Sequence, residues 1–434
     1  MLVAKYAGFF FSRRYRLRQY APRALRTLLL SHTPHMNTRP IIIQKYGGSS
    51  VATLEKLEAI AQRVVLKQSE GYGVVVVVSA MGNATDELLK RARQITPEPP
   101  ARELDMLLST GERTTMALLS IAIQKHGAMS ISFTGSQSGI VTNDSHSHAR
   151  IISVRPYRIQ DELERGKIVI VAGFQGTSYK NEITTLGRGG SDMTAIALAG
   201  ALSAQACEIY SDVDGVYTAD PKVVLSAQKL DELSSAEMLE MAQHGAKVLH
   251  DEAILYAHKH QIALYAKKSH DPTSTGTFIR PDGWPDYALE QAALRPLAIV
   301  TAKKAMYASL DIPSVSAWLD TLRKIDGIQI MDMAVSGHRV EALIDIWNYP
   351  DEDALRTAIS QNAQGSIRTD IKNVTAVGHD LGRFPDILAK FQDMLADAGV
   401  ETVAIFIQPN AVTFVIPTPQ VATASDILHA CIKK

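Results

Sequence analysis

The sequence contains little cysteine: Cys207 and Cys431 are the only two among its 434 residues. Two cysteines are too few for a disulfide framework or a cysteine-based metal cluster, and they suit a reducing compartment such as the cytoplasm. Long apolar runs are also missing, because stretches such as residues 74–80 have the length of a strand, far short of the roughly 20-residue helix that spans a membrane. These absences exclude a disulfide-stapled secreted fold and a membrane-embedded protein.

The sequence also lacks a general excess of basic residues. Seven of the 45 basic residues and none of the 45 acidic residues lie before residue 36, which leaves 38 basic residues against 45 acidic ones in the remainder. Such a remainder does not favour nucleic acid as a partner, since binding to the phosphate backbone needs surplus lysine and arginine.

The arginine-rich residues 1–35 allow three interpretations. They are typical of an organellar transit peptide, of a nucleic-acid-binding arm, or of translation from an upstream start codon. We favour Met36 as the true initiator, because a well-formed strand follows it closely, and we expect residues 1–35 to be disordered or non-native.

A glycine-rich loop at residues 185–192 has the most distinctive composition in the chain. A predicted strand, residues 168–174, precedes it, and a predicted helix, residues 193–206, follows it, so the loop lies where a helix N-terminus can direct N–H groups at an anion. Arg188 offers a planar fork of donors for a carboxylate or phosphate, and Asp192 can orient a cation or a reacting group. A plain glycine turn without a ligand is the alternative for this stretch alone.

A second strand, glycine loop and helix precede this one. Residues 40–45 are a predicted strand that ends in Lys45, and the loop contains Gly47, Gly48 and Ser49 before a predicted helix at residues 54–68. Adjacent glycines let backbone amides approach phosphate oxygens, and Lys45 adds a point charge.

Polar residues follow further predicted strands at the edge where open α/β sheets bind ligands. Residues 73–80 are apolar on both faces, which indicates a parallel sheet covered on both sides by helices, and Ser79 and Thr85 stand at the end of this strand. Glu112 lies in residues 109–113, which interrupt a predicted helix at residues 103–123. A glycine beside it indicates that another group approaches closely, although a solvated charged pair is equally compatible with the pattern.

A third cluster follows the predicted strand at residues 207–210. Ser211, Asp212 and Tyr217 lie in a stretch where acidic residues alternate around a glycine. A calcium-binding EF-hand loop is excluded, because no glutamate stands at the twelfth position of such a loop. A nucleotide contact suits such a strand end, and a predicted helix at residues 236–249 would bring Lys247 as a further phosphate cation.

The chain beyond a Pro- and Gly-rich linker at residues 283–296 has a different order of predicted strands and helices. Residues 297–370 and 371–434 are each predicted to form a small βαββα unit. Neither unit contains a glycine phosphate loop, which favours a role in regulation or assembly.

Taken in order, the motifs resemble those of the aspartate kinases, members of the amino-acid kinase superfamily with C-terminal ACT repeats. The resemblance covers residues 40–282. It implies an α/β fold, with an αβα-sandwich amino-acid kinase domain at residues 36–282 followed by two small βαββα ACT-like domains. The motifs that carry it are residues 45–52, 173–176, 187–192, 211–221 and 245–250.

The resemblance also implies a reaction, in which MgATP phosphorylates the side-chain carboxylate of L-aspartate to give 4-phospho-L-aspartate, the first step towards lysine, threonine and methionine. Lys45 and Asp192 are the implied catalytic residues. The implied nucleotide-binding residues are Lys45, Gly47, Gly48, Ser49, Ser211, Asp212, Tyr217, Lys222 and Lys247. The implied aspartate-binding residues are Ser79, Thr85, Glu112, Arg188, Gly189, Gly190 and Ser191. Within the last set, Arg188 would contact the α-carboxylate and Glu112 would lie near the ammonium group. Mg²⁺ commonly rests on phosphates and water, so no protein metal cluster is expected.

The sequence departs from the family pattern at several positions. Lys222 replaces an arginine, Ser211 replaces a threonine, and Asp251 with Glu252 replaces Pro-Arg. Residues 311–314 lack the glycine-bearing effector loop of ACT domains. We therefore expect a cytoplasmic homodimer joined through ACT repeats, with lysine or threonine as candidate effectors. The rival hypotheses are a catalytically silent ACT-bearing amino-acid sensor and a related kinase acting on another acid such as glutamate.

Overall fold

A computed structural model describes residues 39–246, 248–284, 296–302, 304–325, 328–347, 349, 352–361 and 363–432. The predictions for residues 1–35, for Lys247 and for most of the linker lie outside these residues. No helix in these ranges is long and apolar enough to cross a membrane.

An eight-stranded sheet forms the centre of the N-terminal half. Its central strands are parallel, whereas Leu264–Lys268 and Thr277–Arg280, near one edge, form an antiparallel pair. In spatial order, the strands are β12 (Glu232–Ser234), β14 (Thr277–Arg280), β13 (Leu264–Lys268), β9 (Ala206–Ser211), β1 (Ile41–Tyr46), β2 (Gly73–Val78), β6 (Ile168–Ala172) and β3 (Ser130–Phe133).

Two smaller sheets flank this one. A four-stranded sheet has the order β5 (Ile151–Val154), β4 (Ile140–Thr142), β7 (Gln175–Ser178) and β8 (Ile183–Thr185), and a ribbon pairs β10 (Val216–Tyr217) with β11 (Lys229–Leu230). The helices of this half are α1 (Leu54–Ser69), α2 (Ala84–Ile95), α3 (Ala101–Leu108), α4 (Thr110–Lys125), α5 (Tyr157–Glu164), α6 (Gly190–Ala201), α7 (Ser235–Gln243) and α8 (Asp251–Lys259).

Helices cover both faces of the large sheet. Every residue of β2 is buried, and its alternate valines belong to two different hydrophobic clusters, one with α1 and α4 and the other with α6 and α8. In α1, the buried residues Leu57, Ile60, Ala61 and Val64 recur at helical spacing, and Thr53 caps the helix by accepting from the Lys56 N–H. The predicted αβα sandwich is therefore confirmed.

The register of the parallel strands brings four loops to one edge. Tyr46 of β1 lies opposite both Val78 of β2 and Tyr210 of β9, and Val78 lies opposite Ala172 of β6. Because parallel strands all end at the same edge, the loops that follow these residues are neighbours.

The C-terminal half contains two four-stranded antiparallel sheets with helices α9 (Val315–Arg323), α10 (Glu352–Ser360), α11 (Pro385–Asp397) and α12 (Val421–His429). One sheet has the order β17 (Gln329–Ser336), β18 (Arg339–Asp345), β16 (Ala305–Asp311) and β19 (Gln364–Arg368). The other has the order β15 (Ala298–Val300), β20 (Ile371–Val377), β22 (Ala411–Pro417) and β21 (Ala404–Gln408).

Three features differ from the sequence predictions. Strand β15 was expected in the first βαββα unit but pairs with β20 of the second, and β19, which was not predicted, completes the first sheet. The predicted helix at residues 236–249 ends at Gln243, because Gly245 adopts a φ of 120° that ends helical geometry. The helix predicted at residues 193–206 begins at Gly190 and ends at Ala201.

The packing of β1 predicts a large stability cost for a cavity at its centre. Ile43 is fully buried, so Ile43→Ala should lower the free energy of unfolding by about 2–5 kcal/mol, whereas Ile95→Ala, at a side chain that is 89% exposed, should change it by about 0.5 kcal/mol or less. Urea unfolding of the two variants measures the difference. Equal losses would contradict the proposed core.

Candidate active site

A cavity of about 280 Å³ opens at the edge where the parallel strands end. Its volume lies near the lower end of the range for small-molecule sites. Nine of its thirteen lining residues belong to the set predicted from the sequence. The lining residues are Lys45, Gly48, Ser79, Ala80, Gly82, Thr85, Glu112, Phe174, Gly187, Gly189, Gly190, Ser191 and Asp192. We call this space the acceptor cavity.

Lys45 and Asp192 meet in the acceptor cavity. Lys45 projects from the end of β1, Asp192 lies in the first turn of α6, and the distance from Lys45 Nζ to Asp192 Oδ1 is 2.5 Å. Both side chains are largely buried, with 12% and 14% of their surface exposed. The structure therefore brings the two predicted catalytic residues into direct contact.

Glu112 presents a carboxylate oxygen without a protein partner. Its Oε1 accepts a hydrogen bond from the Ala80 N–H at 3.0 Å, and its Oε2 is buried with no hydrogen-bond partner in the part of the chain that the structure describes. Burial raises the pKa of Glu112 to about 7. A cation that reached Oε2 would satisfy this oxygen and favour the ionised form.

The loop between β8 and α6 depends on glycine at a point of close approach. Gly189 has a φ of 66° and caps α6, and a Cβ at this position would lie 2.5 Å from Cγ of His250. His250 is in turn hydrogen-bonded through Nδ1 to Asp251 at 3.1 Å, a contact that raises the pKa of the imidazole. The departure from the family pattern at residue 251 therefore places a carboxylate in contact with His250, which lies against the loop between β8 and α6.

Asp105 is a supporting residue that the sequence analysis missed. Its carboxylate is fully buried and accepts hydrogen bonds from Thr185 Oγ1 at 2.6 Å and from the Ser147 N–H at 3.0 Å, and it pairs with His146 Nδ1 at 2.7 Å. Thr185 ends β8 directly before the loop that leads to α6. No local motif marks Asp105, which stands inside a helical pattern 80 residues from Thr185.

Arg188 lies apart from the acceptor cavity. Its side chain is exposed and lines a neighbouring cavity, also of about 280 Å³, together with Met193, His250 and Tyr256. Gly189 borders both cavities.

Of the residues predicted to bind the nucleotide, Lys45 and Gly48 line the acceptor cavity. The Gly47 N–H donates to the Tyr210 carbonyl at 3.2 Å, which joins the first glycine loop to the end of β9, where Ser211 follows. Asp212 and Lys222 are exposed, and Tyr217 is half-buried in β10. This hydrogen bond places the loop after β1 next to the loop after β9.

Comparison with known proteins gives the class of this fold and site. Residues 40–266 match the family described as "Amino acid kinase family". The chain belongs to this family.

The relatives narrow the class. The chain is 39% identical to the aspartokinase of Mycolicibacterium smegmatis and 40% identical to that of Corynebacterium glutamicum, in each case over 90% of this chain and 95% of the relative. It therefore belongs to the aspartokinases and is an enzyme that uses ATP to phosphorylate the side-chain carboxylate of L-aspartate.

Solved structures support the same fold. Escherichia coli aspartokinase III in complex with aspartate and ADP has a TM-score of 0.72 at 23% identity and covers 90% of this chain and 99% of that one. The aspartate kinase from Synechocystis has a TM-score of 0.52 at 35% identity and covers 91% of this chain and 70% of that one.

The geometry at Gly189 predicts a sensitive position. Gly189→Ala should lower kcat/KM at least about tenfold, because the new methyl group needs a disfavoured φ and collides with His250. Gly283→Ala is the matched control, since a Cβ at that position meets open space. Steady-state kinetics on both variants decides the matter, and full activity of Gly189→Ala would contradict this account of the loop.

Proposed function

We propose that the acceptor cavity binds L-aspartate and that Lys45 and Asp192 carry the phosphoryl transfer. The observation that carries the proposal is the contact of Lys45 with Asp192 in the same cavity as the unpartnered Oε2 of Glu112. This oxygen suits the substrate ammonium group, and Ser79, Thr85 and Ser191 offer hydroxyl groups nearby. In this proposal, Arg188 binds the α-carboxylate after its exposed side chain turns past Gly189 towards the acceptor cavity.

The chemistry explains why charge dominates the site. The side-chain carboxylate of aspartate, with a pKa near 3.9, is ionised at neutral pH, so it needs no general base to become a nucleophile. The barrier is the approach of this anion to an anionic phosphate. Lys45, the backbone amide of Gly48, and the N-terminal turn of α6 would reduce that repulsion, and the cavity would hold the acceptor in line.

The glycine loop fits a phosphate group. A Cβ on Gly48 would lie 3.0 Å from the Ala80 carbonyl oxygen, so a larger residue would require the neighbouring backbone to shift. Ser211, Asp212, Tyr217 and Lys222 would hold the rest of the nucleotide, together with Lys247 and Ser49.

Asp192 fits a role beside Mg²⁺. Within the described residues, no group of three histidine, cysteine or acidic side chains could hold a metal by itself. The ion would therefore rest mainly on ATP phosphates and water, with Asp192 as a nearby carboxylate. Bound Mg²⁺ would neutralise phosphate charge.

We also propose a role for the C-terminal half in assembly and control. Two βαββα-type units without a phosphate loop suit dimerisation as ACT domains, with domain boundaries near residues 282, 296 and 370. Lysine is present in the Escherichia coli aspartokinase III complex with lysine and aspartate, and lysine or threonine are the effectors to test first. The proposed setting is cytoplasmic synthesis of lysine, threonine and methionine, which the free thiols of Cys207 and Cys431 suit.

The catalytic assignment predicts the loss of one activity without loss of fold. Lys45→Ala and Asp192→Ala should each lower kcat about a hundredfold or more, because each removes a charge that stabilises the transferring group. ATP-dependent acyl phosphate, trapped from L-aspartate with hydroxylamine, measures turnover. Lys125→Ala, at a side chain that is 69% exposed, serves as the control. Near-normal rates in either cavity variant, or greater turnover of L-glutamate by the parent enzyme, would refute the proposal.

Glu112 predicts a pH dependence for aspartate binding. Its raised pKa of about 7 means that the carboxyl group takes up a proton as the pH falls, and a neutral carboxyl group cannot pair with the substrate ammonium. The KM for aspartate should therefore rise about tenfold between pH 8 and pH 6. Glu112→Gln should have a higher KM at pH 8 and should lack this rise.

Glu98→Gln, which changes an exposed glutamate, is the control for the pH series and should follow the parent enzyme. A KM profile that is the same in Glu112→Gln and in the parent enzyme would remove Glu112 from the ammonium site.

A further inference from the structure

Part of the segment between β10 and β11 packs against the C-terminal half. Thr218, Ala219 and Val224 are almost fully buried, although they follow the exposed Asp212 by only a few residues. Ala219 and Val224 belong to the hydrophobic cluster built around α12 and the β20–β22 pair, whose members include Leu428. Ala219 and Val224 of the N-terminal half are thus part of a hydrophobic core in the C-terminal half.

A polar contact fixes the same segment. Thr218 Oγ1 lies 2.8 Å from His429 Nε2, and Ser226 Oγ lies 3.1 Å from His429 Nδ1. His429 is the last residue of α12, and only 7% of its surface is exposed. One imidazole therefore bridges both sides of the turn between β10 and β11.

The neighbouring hydrogen bonds define which atom donates and which accepts in each contact of His429. Thr218 Oγ1 accepts from the Gln228 N–H at 2.9 Å, which leaves its own proton for His429 Nε2. Nδ1 then carries the ring proton and donates to Ser226 Oγ. Burial lowers the pKa of His429, which favours this neutral ring.

The backbone of Thr218 is held as well. Its N–H donates to the Gln228 carbonyl at 2.8 Å, and its carbonyl accepts from the Ile299 N–H of β15 at 2.8 Å. Tyr217 is one peptide bond away. Lys222 lies in the same turn, where its N–H donates to Asp220 Oδ1 at 2.9 Å.

We propose that His429 is a positioning residue for the nucleotide site, acting through Thr218 on the turn that carries Tyr217 and Lys222. The inference rests on the proposed nucleotide role of these two residues. The C-terminal half thereby supplies part of the scaffold of the ATP site. The residues that line the acceptor cavity all lie between Lys45 and Asp192, outside this turn, so the effect is specific to the nucleotide.

The test removes one hydroxyl group with little change of shape. Thr218→Val loses the proton that His429 accepts, whereas Thr218→Ser keeps it. Thr218→Val and His429→Leu should each raise the KM for MgATP at least about threefold, because each removes the shared hydrogen bond and one neighbouring hydrogen bond, and should leave the KM for aspartate within about twofold. Thr218→Ser should restore the parent KM for MgATP. The rise in the double variant should be smaller than the product of the two single effects, because the two groups share one contact.

Two outcomes overturn the inference. An unchanged KM for MgATP in folded Thr218→Val would remove the positioning role, and an equal rise in both KM values would indicate a general structural effect. If His429→Leu does not fold, His429→Gln replaces it: its side-chain oxygen can still accept from Thr218, so a near-parent KM is expected, and a tenfold rise would count against the contact.

Lys222→Ala separates this inference from the proposed function. A raised KM for MgATP in Lys222→Ala, with unchanged values in the Thr218 and His429 variants, would overturn the inference alone. An unchanged KM in Lys222→Ala would overturn the nucleotide assignment of this turn and the inference with it.

Discussion

The contact between Lys45 and Asp192 is the interaction on which the catalytic half depends. It exists because β1 ends one residue after Lys45 and because the glycine loop starts α6 at Gly190, with Asp192 in its first turn. A register shift of one residue in β1 would turn Lys45 towards the opposite face of the sheet. The buried core of valines and isoleucines sets that register, so the hydrophobic layers that stabilise the fold also bring the two charges together.

The C-terminal units are joined to the N-terminal half by buried hydrogen bonds. Asn373 of β20 donates through Nδ2 to the His244 carbonyl at 2.8 Å and accepts from the Ala302 N–H at 2.7 Å, and all three positions are buried. Gln408 of β21 donates to Asp332 of β17 at 2.5 Å, which ties the two small sheets together beside the same junction. Buried polar groups need such partners, so movement of either C-terminal unit would break hydrogen bonds near the end of α7.

Local sequence signals were sufficient for the sandwich and most of the acceptor cavity. Gly48, Gly189 and Asp192 stand in short strand, loop and helix patterns whose geometry is decided by neighbouring residues. Contacts between distant segments were not predictable in the same way. Asp105 reaches Thr185 across 80 residues and His429 reaches Thr218 across 211, and neither carries a local pattern. The position of β15 in the second sheet depends on which whole strands pair with each other. The end of α7 depends on the conformation of Gly245, which lies inside an otherwise helical pattern.

A double-mutant cycle tests the central claim that Lys45 and Asp192 act as one catalytic unit. Lys45→Arg and Asp192→Asn are conservative enough to leave measurable turnover, and single-turnover formation of trapped acyl phosphate reports the transfer step. The account predicts that the double variant is little slower than the slower single variant, because removal of either partner already disables the pair. Losses that multiply in the double variant would show that the two residues act independently, which would contradict the account.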